Sequence, residues 1–320
     1  MKKAVLLIAI AFVYSILGAS VSFAADFPSR KIDIIVPFGP GSGTDTTMRA
    51  LAPSLQKVLG VPVVVQNIEG SSGLRGLEYA SKQPADGYTL FLNNTTHILL
   101  EMQNLSPIAL TQSFDPVACV VQDSVLFTAS ANGRFKTWKD VVAYAKENPG
   151  KVTVSGSSPR GVDGVSTLMV AKGAGIEVTF IPFNSGAEAM SAILGGHVDL
   201  GNMGPADAME MIRGGEMNGI LVTSEKRLDI FPDTPTTYDE GINVTAGAWR
   251  ALAVPKGTPP EVISKLESAI REAYDSPEFQ KWLKDVTLDQ RPGWKDAKGL
   301  GELWQSELIY FKKAFEEIGL

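Results

Sequence analysis

Five short stretches share one chemistry: Gly41-Ser42-Gly43-Thr44-Asp45, Gly70-Ser71-Ser72-Gly73, Asn93-Asn94-Thr95-Thr96, Ser155-Gly156-Ser157-Ser158 and Asn184-Ser185-Gly186. All are small, polar and conformationally permissive. Glycine lets the main chain approach a ligand closely, and a helix start presents unpaired N–H donors with a partial positive charge. Loops built this way suit oxygen-rich anions such as carboxylates. One such loop alone is more often a plain turn or helix cap. Five at equivalent points in a repeated pattern indicate a binding site.

Arg160 places a fixed cation in one of these loops, and its planar fork can pair with a carboxylate through two hydrogen bonds. A solvated surface position fits its place in the sequence equally well. Asp45 and Asp163 suit helix caps better than direct contact with an anion. The candidate ligand contacts are thus Gly41, Ser42, Gly43, Thr44 and Asp45; Ser71, Ser72 and Gly73; Asn94, Thr95 and Thr96; Ser157, Ser158, Arg160 and Asp163; and Asn184 and Ser185.

Catalytic and cofactor motifs are missing from the sequence. GPGSG is not GxGxxG, no GxxxxGK[ST] follows, and neither HExxH, a GxSxG elbow nor a cysteine cluster occurs. His97 lies in a polar stretch after a strand, where it could donate to a ligand oxygen. His197 precedes a strand. For both, a structural role is the better reading. No catalytic residue, metal site or cofactor is expected.

Positioning the loops requires strands and helices in alternation. Ile32–36, 63–65 and 89–92 are predicted strands, with a helix over 46–59 and another through Leu77 and Ala80. Residues 117–127 look like a connection. A second series follows, with strands at 152–154, 178–181, 198–200 and 220–222 and a helix near 165–172. The expected fold is α/β with two lobes, each a parallel-rich sheet flanked by helices, with the polar loops at the carboxyl ends of the strands. A strand at 249–254 and helices over 259–274, 277–286 and 298–318 lack partner strands for a third lobe, so they are expected to return and cover the first. Lobe 1 then comprises residues 25–124 and 249–320, and lobe 2 residues 125–248.

Residues 1–24 have the parts of a secretory leader: Lys2 and Lys3, an apolar run from Ala4 to Leu17, and small residues around Phe23, with cleavage expected after Ala24. The run falls short of the roughly 20 residues that a spanning helix needs. Losing the leader moves the formal charge from −6 to −8. An acidic protein without a basic patch is a poor partner for nucleic acid or an anionic membrane surface. Cys119 is the sole cysteine, so no intrachain disulfide can form and the core must supply the stability. A soluble periplasmic protein is the expectation.

The chain also resembles a family, the extracytoplasmic receptors of tripartite tricarboxylate transporters known as TctC or Bug proteins. The resemblance rests on Ile35-Val36-Pro37-Phe38 leading into Gly43-Thr44-Asp45, on Pro84-Ala85-Asp86-Gly87-Tyr88-Thr89-Leu90, and on Pro182-Phe183 with Gly186 and Glu188. Gly195-Gly196-His197-Val198-Asp199 and Ala253-Val254-Pro255-Lys256-Gly257-Thr258-Pro259 complete it. It implies a periplasmic binding protein of type II-like form whose two lobes close over a small organic acid. By motif position, Gly41 to Asp45 and Ser71 to Gly73 would hold one carboxylate, and the loops of Ser155 to Asp163 and Asn184 to Gly186 would set selectivity. Departures from the family pattern include Ile68-Glu69 for Arg-Pro, Ser71-Ser72 for Ala-Gly, and Arg160-Gly161-Val162-Asp163-Gly164 for Gly-Gly-Thr-Asp-His. Met203 and Gly204 stand where many members carry an Asp, which speaks against an amino-acid ligand.

The functional expectation is a receptor for a small organic acid, foremost a di- or tricarboxylate, that works with membrane transporter subunits as a monomer. A ligand-presenting partner of a membrane kinase is the alternative, and an enzyme of the same architecture is the more distant one.

Overall fold

Short β-branched runs alternate with amphipathic helical ones along this chain, and the computed structural model assembles them into two five-stranded sheets. The structure describes residues 27–156, 159–183 and 186–318. The expected leader and the candidate contacts Ser157, Ser158, Asn184 and Ser185 lie outside the described residues.

The first sheet contains β1 (Ile32–Val36), β2 (Val63–Asn67), β3 (Thr89–Asn94), β4 (Phe114–Gln122) and β10 (Trp249–Pro255), in the order β2-β1-β3-β10-β4. The second contains β5 (Leu126–Ser130), β6 (Val152–Gly156), β7 (Val178–Pro182), β8 (Leu200–Met203) and β9 (Met217–Val222), in the order β7-β6-β8-β5-β9. The expected connection over 117–127 is instead the end of β4 and the start of β5. Its apolar residues are buried ladder positions: Val117 to Val121 and Val125 to Phe127 are each at most 4% exposed.

Pairing is parallel between β1 and both β2 and β3, and between β6 and both β7 and β8. One strand in each sheet is reversed: β10 runs antiparallel to β3 and β4, and β5 runs antiparallel to β8 and β9. The reversal follows from connectivity. Each reversed strand arrives from the other sheet, entering at the edge where the remaining strands end.

The helices are α1 (Gly43–Leu59), α2 (Leu74–Ser81), α3 (Thr95–Met102), α4 (Leu110–Ser113), α5 (Trp138–Glu147), α6 (Val162–Ala174), α7 (Gly186–Leu194), α8 (Pro205–Arg213), α9 (Pro260–Tyr274), α10 (Pro277–Asp285) and α11 (Ala297–Ile318). Helix α1 buries Met48, Leu51, Ala52 and Leu55, a stripe at helical spacing, in a core shared with Ile32, Ile34 and Val36. Each large apolar side chain buried this way contributes roughly 1.5–3 kcal/mol. Gly60, in the left-handed region at φ 70°, ends the helix. Helices α9 and α11 pack on β4, and α11 extends along α3 to reach α6 beside the second sheet. The C-terminal segment therefore covers the first lobe, and also touches the second.

Two segments cross between the sheets and run side by side. Asp123 N–H donates to Ala248 O at 2.8 Å, and Val125 N–H donates to Thr223 Oγ1 at 3.0 Å and to Ala246 O at 3.3 Å. This paired crossing joins the two sheets.

Candidate ligand-binding site

The first polar loop is shaped by a buried carboxylate. Asp45 is 2% exposed, and its two oxygens take three donors, Gly41 N–H at 2.9 Å, Arg49 Nε at 3.0 Å and Asn67 Nδ2 at 2.8 Å, while Arg49 Nη2 closes the ring onto Asn67 Oδ1 at 2.8 Å. Burial pushes the Asp45 carboxyl up, but Arg49, Gly41 and Asn67 outweigh it and hold the group below its ordinary value. Asp45 thus builds the loop from within, and both its oxygens are engaged away from a ligand. Ser42 caps α1, accepting from Asp45 N–H at 3.3 Å, and its hydroxyl lies 3.1 Å from that of Thr44. Gly41 holds φ 81°, which a side chain would strain.

The second loop is a run of left-handed residues: Gly70, Ser71, Ser72 and Gly73 have φ 132°, 50°, 56° and 95°. Two serines in that region cost roughly 1–2 kcal/mol each. Both are exposed. Gly73 is fixed by His97, because a Cβ on Gly73 would lie 2.9 Å from His97 Nε2. His97 is 1% exposed and closes the capping box of α3, its Nδ1 accepting from Asn94 N–H at 3.2 Å. Burial is the largest influence on its imidazole, lowering it to about 4, so the ring is neutral at pH 7. It supports the second loop from below. His197 likewise sits in the turn before β8.

The third loop partly supports the crossing segment. Asn94 caps α3 and accepts from Thr96 N–H at 3.2 Å. Thr95 is fully buried, and its hydroxyl donates to Gly247 O at 3.0 Å and accepts from Trp249 N–H at 3.3 Å. Those bonds tie α3 to the returning crossing segment, leaving Thr96 as the partly exposed hydroxyl of this loop.

Between the lobes lies a cavity of about 210 Å³. Of the candidate contacts it brings together Gly43 from the first lobe and Asp163 from the second. It adds residues that loop composition did not reveal: Asp123, Ser124, Asp207 and Arg250. Arg250 projects from β10 to the first turn of α1, where Nη1 donates to Thr47 Oγ1 at 3.1 Å. A Cβ on Gly43 would come within 3.0 Å of Arg250 Nη2, so glycine there permits the approach. A guanidinium at the positive end of a helix is an unfavourable pairing that carboxylates nearby offset, here Asp123 and Asp207 across the cavity.

The opposing wall is acidic. Asp123 Oδ1 accepts from Ser124 N–H at 2.7 Å, while its Oδ2 and Asp207 Oδ2 both lie within 3.5 Å of the point that a Cβ on Gly204 would occupy. Burial raises the Asp123 carboxyl to about 6 against the pull of Arg250. Asp207 keeps contact with solvent at the cavity, yet crowding by the two lobes is still the largest influence on it and pushes it upward. Asn202, 4% exposed, fixes the start of α6 on this side by donating to Asp163 O at 2.8 Å. Gly164 also matters to this loop, since a Cβ there would lie 2.3 Å from Pro159 O.

Arg160 is exposed and lines a separate cavity of about 700 Å³ with Gln103, Lys312 and Glu316. The cation at the cleft is Arg250, one residue after Trp249. Its sequence signal was a charge inside an otherwise apolar strand.

The arrangement combines two lobes joined by a paired crossing, a cavity between them and donors at a helix start, which is the form of a binding protein. Cys119 is fully buried, and burial pushes its thiol up to about 12, so it is no nucleophile. Among the described residues no helix is long and apolar enough to cross a membrane.

Known proteins agree. BugT of Bordetella pertussis is 33% identical over 266 residues, covering 81% of each chain. The structure of a TctC solute binding protein from Polaromonas is 26% identical, with a TM-score of 0.77, covering 91% of this chain and 99% of its own. MatC from Rhodopseudomonas palustris, solved with bound malate, is 25% identical with a TM-score of 0.76, covering 90% and 99%. Residues 47–320 match the family described as tripartite tricarboxylate transporter family receptor, TctC. The chain belongs to that family of periplasmic solute-binding receptors, which bind rather than transform their ligands.

Proposed function

We propose that this protein captures a small organic carboxylate, foremost a di- or tricarboxylate, between its lobes and delivers it to the membrane subunits of a tripartite tricarboxylate-type transporter. The observation that carries the reading is the meeting of Arg250 with the first turn of α1 at Gly43. Two positive features converge there on one cavity, and a carboxylate is the anion whose planar geometry matches the guanidinium fork. The N–H groups of Gly43 and Thr44 lack helical partners by their position and complete the cradle. The malate bound to MatC supports the same ligand class.

In this reading residues 25–124 with 249–320 form one lobe and residues 125–248 the other, and a leader ending at Ala24 directs a monomer to the periplasm. Ser71, Ser72 and Thr96 offer further hydroxyls on the first-lobe rim. Ser157, Ser158, Asn184 and Ser185 belong to the second-lobe rim by sequence. A ligand touching both lobes gains more contacts in the closed form and shifts the equilibrium toward it. Micromolar binding corresponds to about −8.2 kcal/mol, a magnitude that a few charge-assisted hydrogen bonds with water exclusion can supply.

A thermal-shift screen tests this, using protein unfolded and refolded to strip carried-over ligand. The panel holds aliphatic and aromatic carboxylates, citrate-like acids, amino acids and neutral sugars. A ligand at 100 times its dissociation constant stabilises by about 2.7 kcal/mol. Shifts confined to acids support the reading, and shifts by sugars alone reject it.

A further inference from the structure

The cavity of about 700 Å³ at Arg160 shares no lining residue with the cleft cavity and has a chemistry of its own. Its walls come from the end of α3, from α6 with the loop before it, and from the C-terminal part of α11. They are apolar at Met102, Leu105, Leu168 and Phe315, each half-buried. Leu105 and Leu168 join none of the hydrophobic cores formed by the described residues, so only something inside the cavity can cover the apolar surface they turn to it.

Two cations line the same cavity. Arg160 and Lys312 are exposed, and among the described residues neither side chain has a hydrogen bond or an ion pair. Glu316 is the one acid on the wall and pairs with neither of them. A chain with a formal charge of −6 thus carries a local excess of positive charge beside uncovered apolar surface. Small-molecule pockets commonly measure about 300–1,000 Å³ and are mostly apolar, with a few polar groups that fix orientation. The cleft cavity of about 210 Å³ suits a short acid, whereas this one has room for a longer body.

We infer that this cavity is a second binding site, for an organic acid with an extended apolar body, whose carboxylate meets Arg160 and Lys312 and whose body covers Met102, Leu105, Leu168 and Phe315. The inference goes beyond the cleft reading and stands without it. The planar fork of Arg160 can hold both carboxylate oxygens, and Lys312 adds a point charge. Gln103 Nε2 donates to Arg160 O at 3.1 Å on the rim, so an acid held here touches both lobes. Both cations are exposed and screened by salt, which makes this the weaker of the two sites.

Calorimetry on the full protein with butanoate, hexanoate, octanoate and octanamide tests the inference. Affinity should rise with chain length, by up to about fourfold for each CH₂, the value of one buried methylene. Octanamide, which keeps the body and lacks the charge, should bind at least about tenfold more weakly than octanoate. Arg160→Gln keeps the main-chain oxygen that Gln103 meets and should weaken octanoate about tenfold. Lys312→Gln should weaken it about two- to fivefold, and because Lys312 is not at the cleft cavity, that loss locates the probe. Both changes are at exposed side chains, so the variants should melt with the parent. Affinity independent of chain length, octanamide binding as tightly as octanoate, or octanoate binding moved by neither variant overturns the inference. So does absence of octanoate binding, and the cleft reading, which rests on short acids, is untouched by any of these results. A dimer in light scattering that separates in Lys312→Glu would make a second copy of the chain the occupant, and would also overturn it.

Discussion

Gln103 Nε2, at the end of α3 in the first lobe, donates to the main-chain oxygen of Arg160 in the second over 3.1 Å. This bond joins the lobes away from the paired crossing segments, so under the proposed closure over a ligand it would act on the balance between open and closed forms. It also gives Arg160 a role through its backbone, at the rim of the larger cavity.

Removing that link should favour the open form. Gln103→Ala is expected to weaken ligand binding about two- to tenfold, the net worth of one hydrogen bond. Small-angle scattering should show a larger radius of gyration for the ligand-free variant than for the parent protein.

Asp45 should matter for stability more than for contact with ligand. Asp45→Asn is expected to cost about 1–3 kcal/mol at pH 7, read from urea unfolding, because Arg49 and Gly41 lose a charged acceptor. Its carboxyl is held below the ordinary value in the folded protein. The stabilisation is thus present above the unfolded value and lost as pH falls through the folded one, so the parent and the variant should converge in acid.

Glu307 gives the opposite pH dependence. It accepts from Trp249 Nε1 at 2.7 Å behind the crossing segments, and burial raises its carboxyl from 4.5 to about 7. Its contribution is fully present below the unfolded value and lost as pH rises through the folded one. Glu307→Gln keeps an acceptor for Trp249 and removes the buried charge. The variant should melt higher than the parent at pH 8, with the difference shrinking toward pH 4.5 in scanning calorimetry.

Gly164 is a packing requirement of the second-lobe rim. Gly164→Ala places a methyl 2.3 Å from Pro159 O at the start of α6. Overpacking of this kind costs about 1–3 kcal/mol. Loss of both stability and ligand affinity is the expected outcome, by urea unfolding and calorimetry.

Alternating strands and turns made the two α/β lobes legible, because β-branched runs such as Ile32–Val36 and glycine-capped helices such as α1 carry local signals. The strands on either side of the crossing were not, because residues 117–127 form one apolar stretch broken only at Gln122, Asp123 and Ser124. Nor does local sequence reveal that an arriving strand runs against its neighbours. Among the residues lining the cleft cavity, Gly43 and Asp163 were legible as parts of helix starts. Asp123, Asp207 and Arg250 were not, because they come from a crossing segment, a second-lobe helix and a strand that meet only after folding. Loop composition also placed Thr95 among the contacts, whereas its hydroxyl serves Gly247. Hydroxyls placed to meet a ligand and hydroxyls that tie two segments together look alike in sequence.

The most direct measurement is a crystal structure of the protein with the tightest-binding acid from the panel. The account predicts its carboxylate within hydrogen-bond distance of the Arg250 guanidinium and the first turn of α1 at Gly43. An acid bound elsewhere, such as the cavity of about 340 Å³ behind the crossing segments near Arg291 and Tyr310, would contradict it.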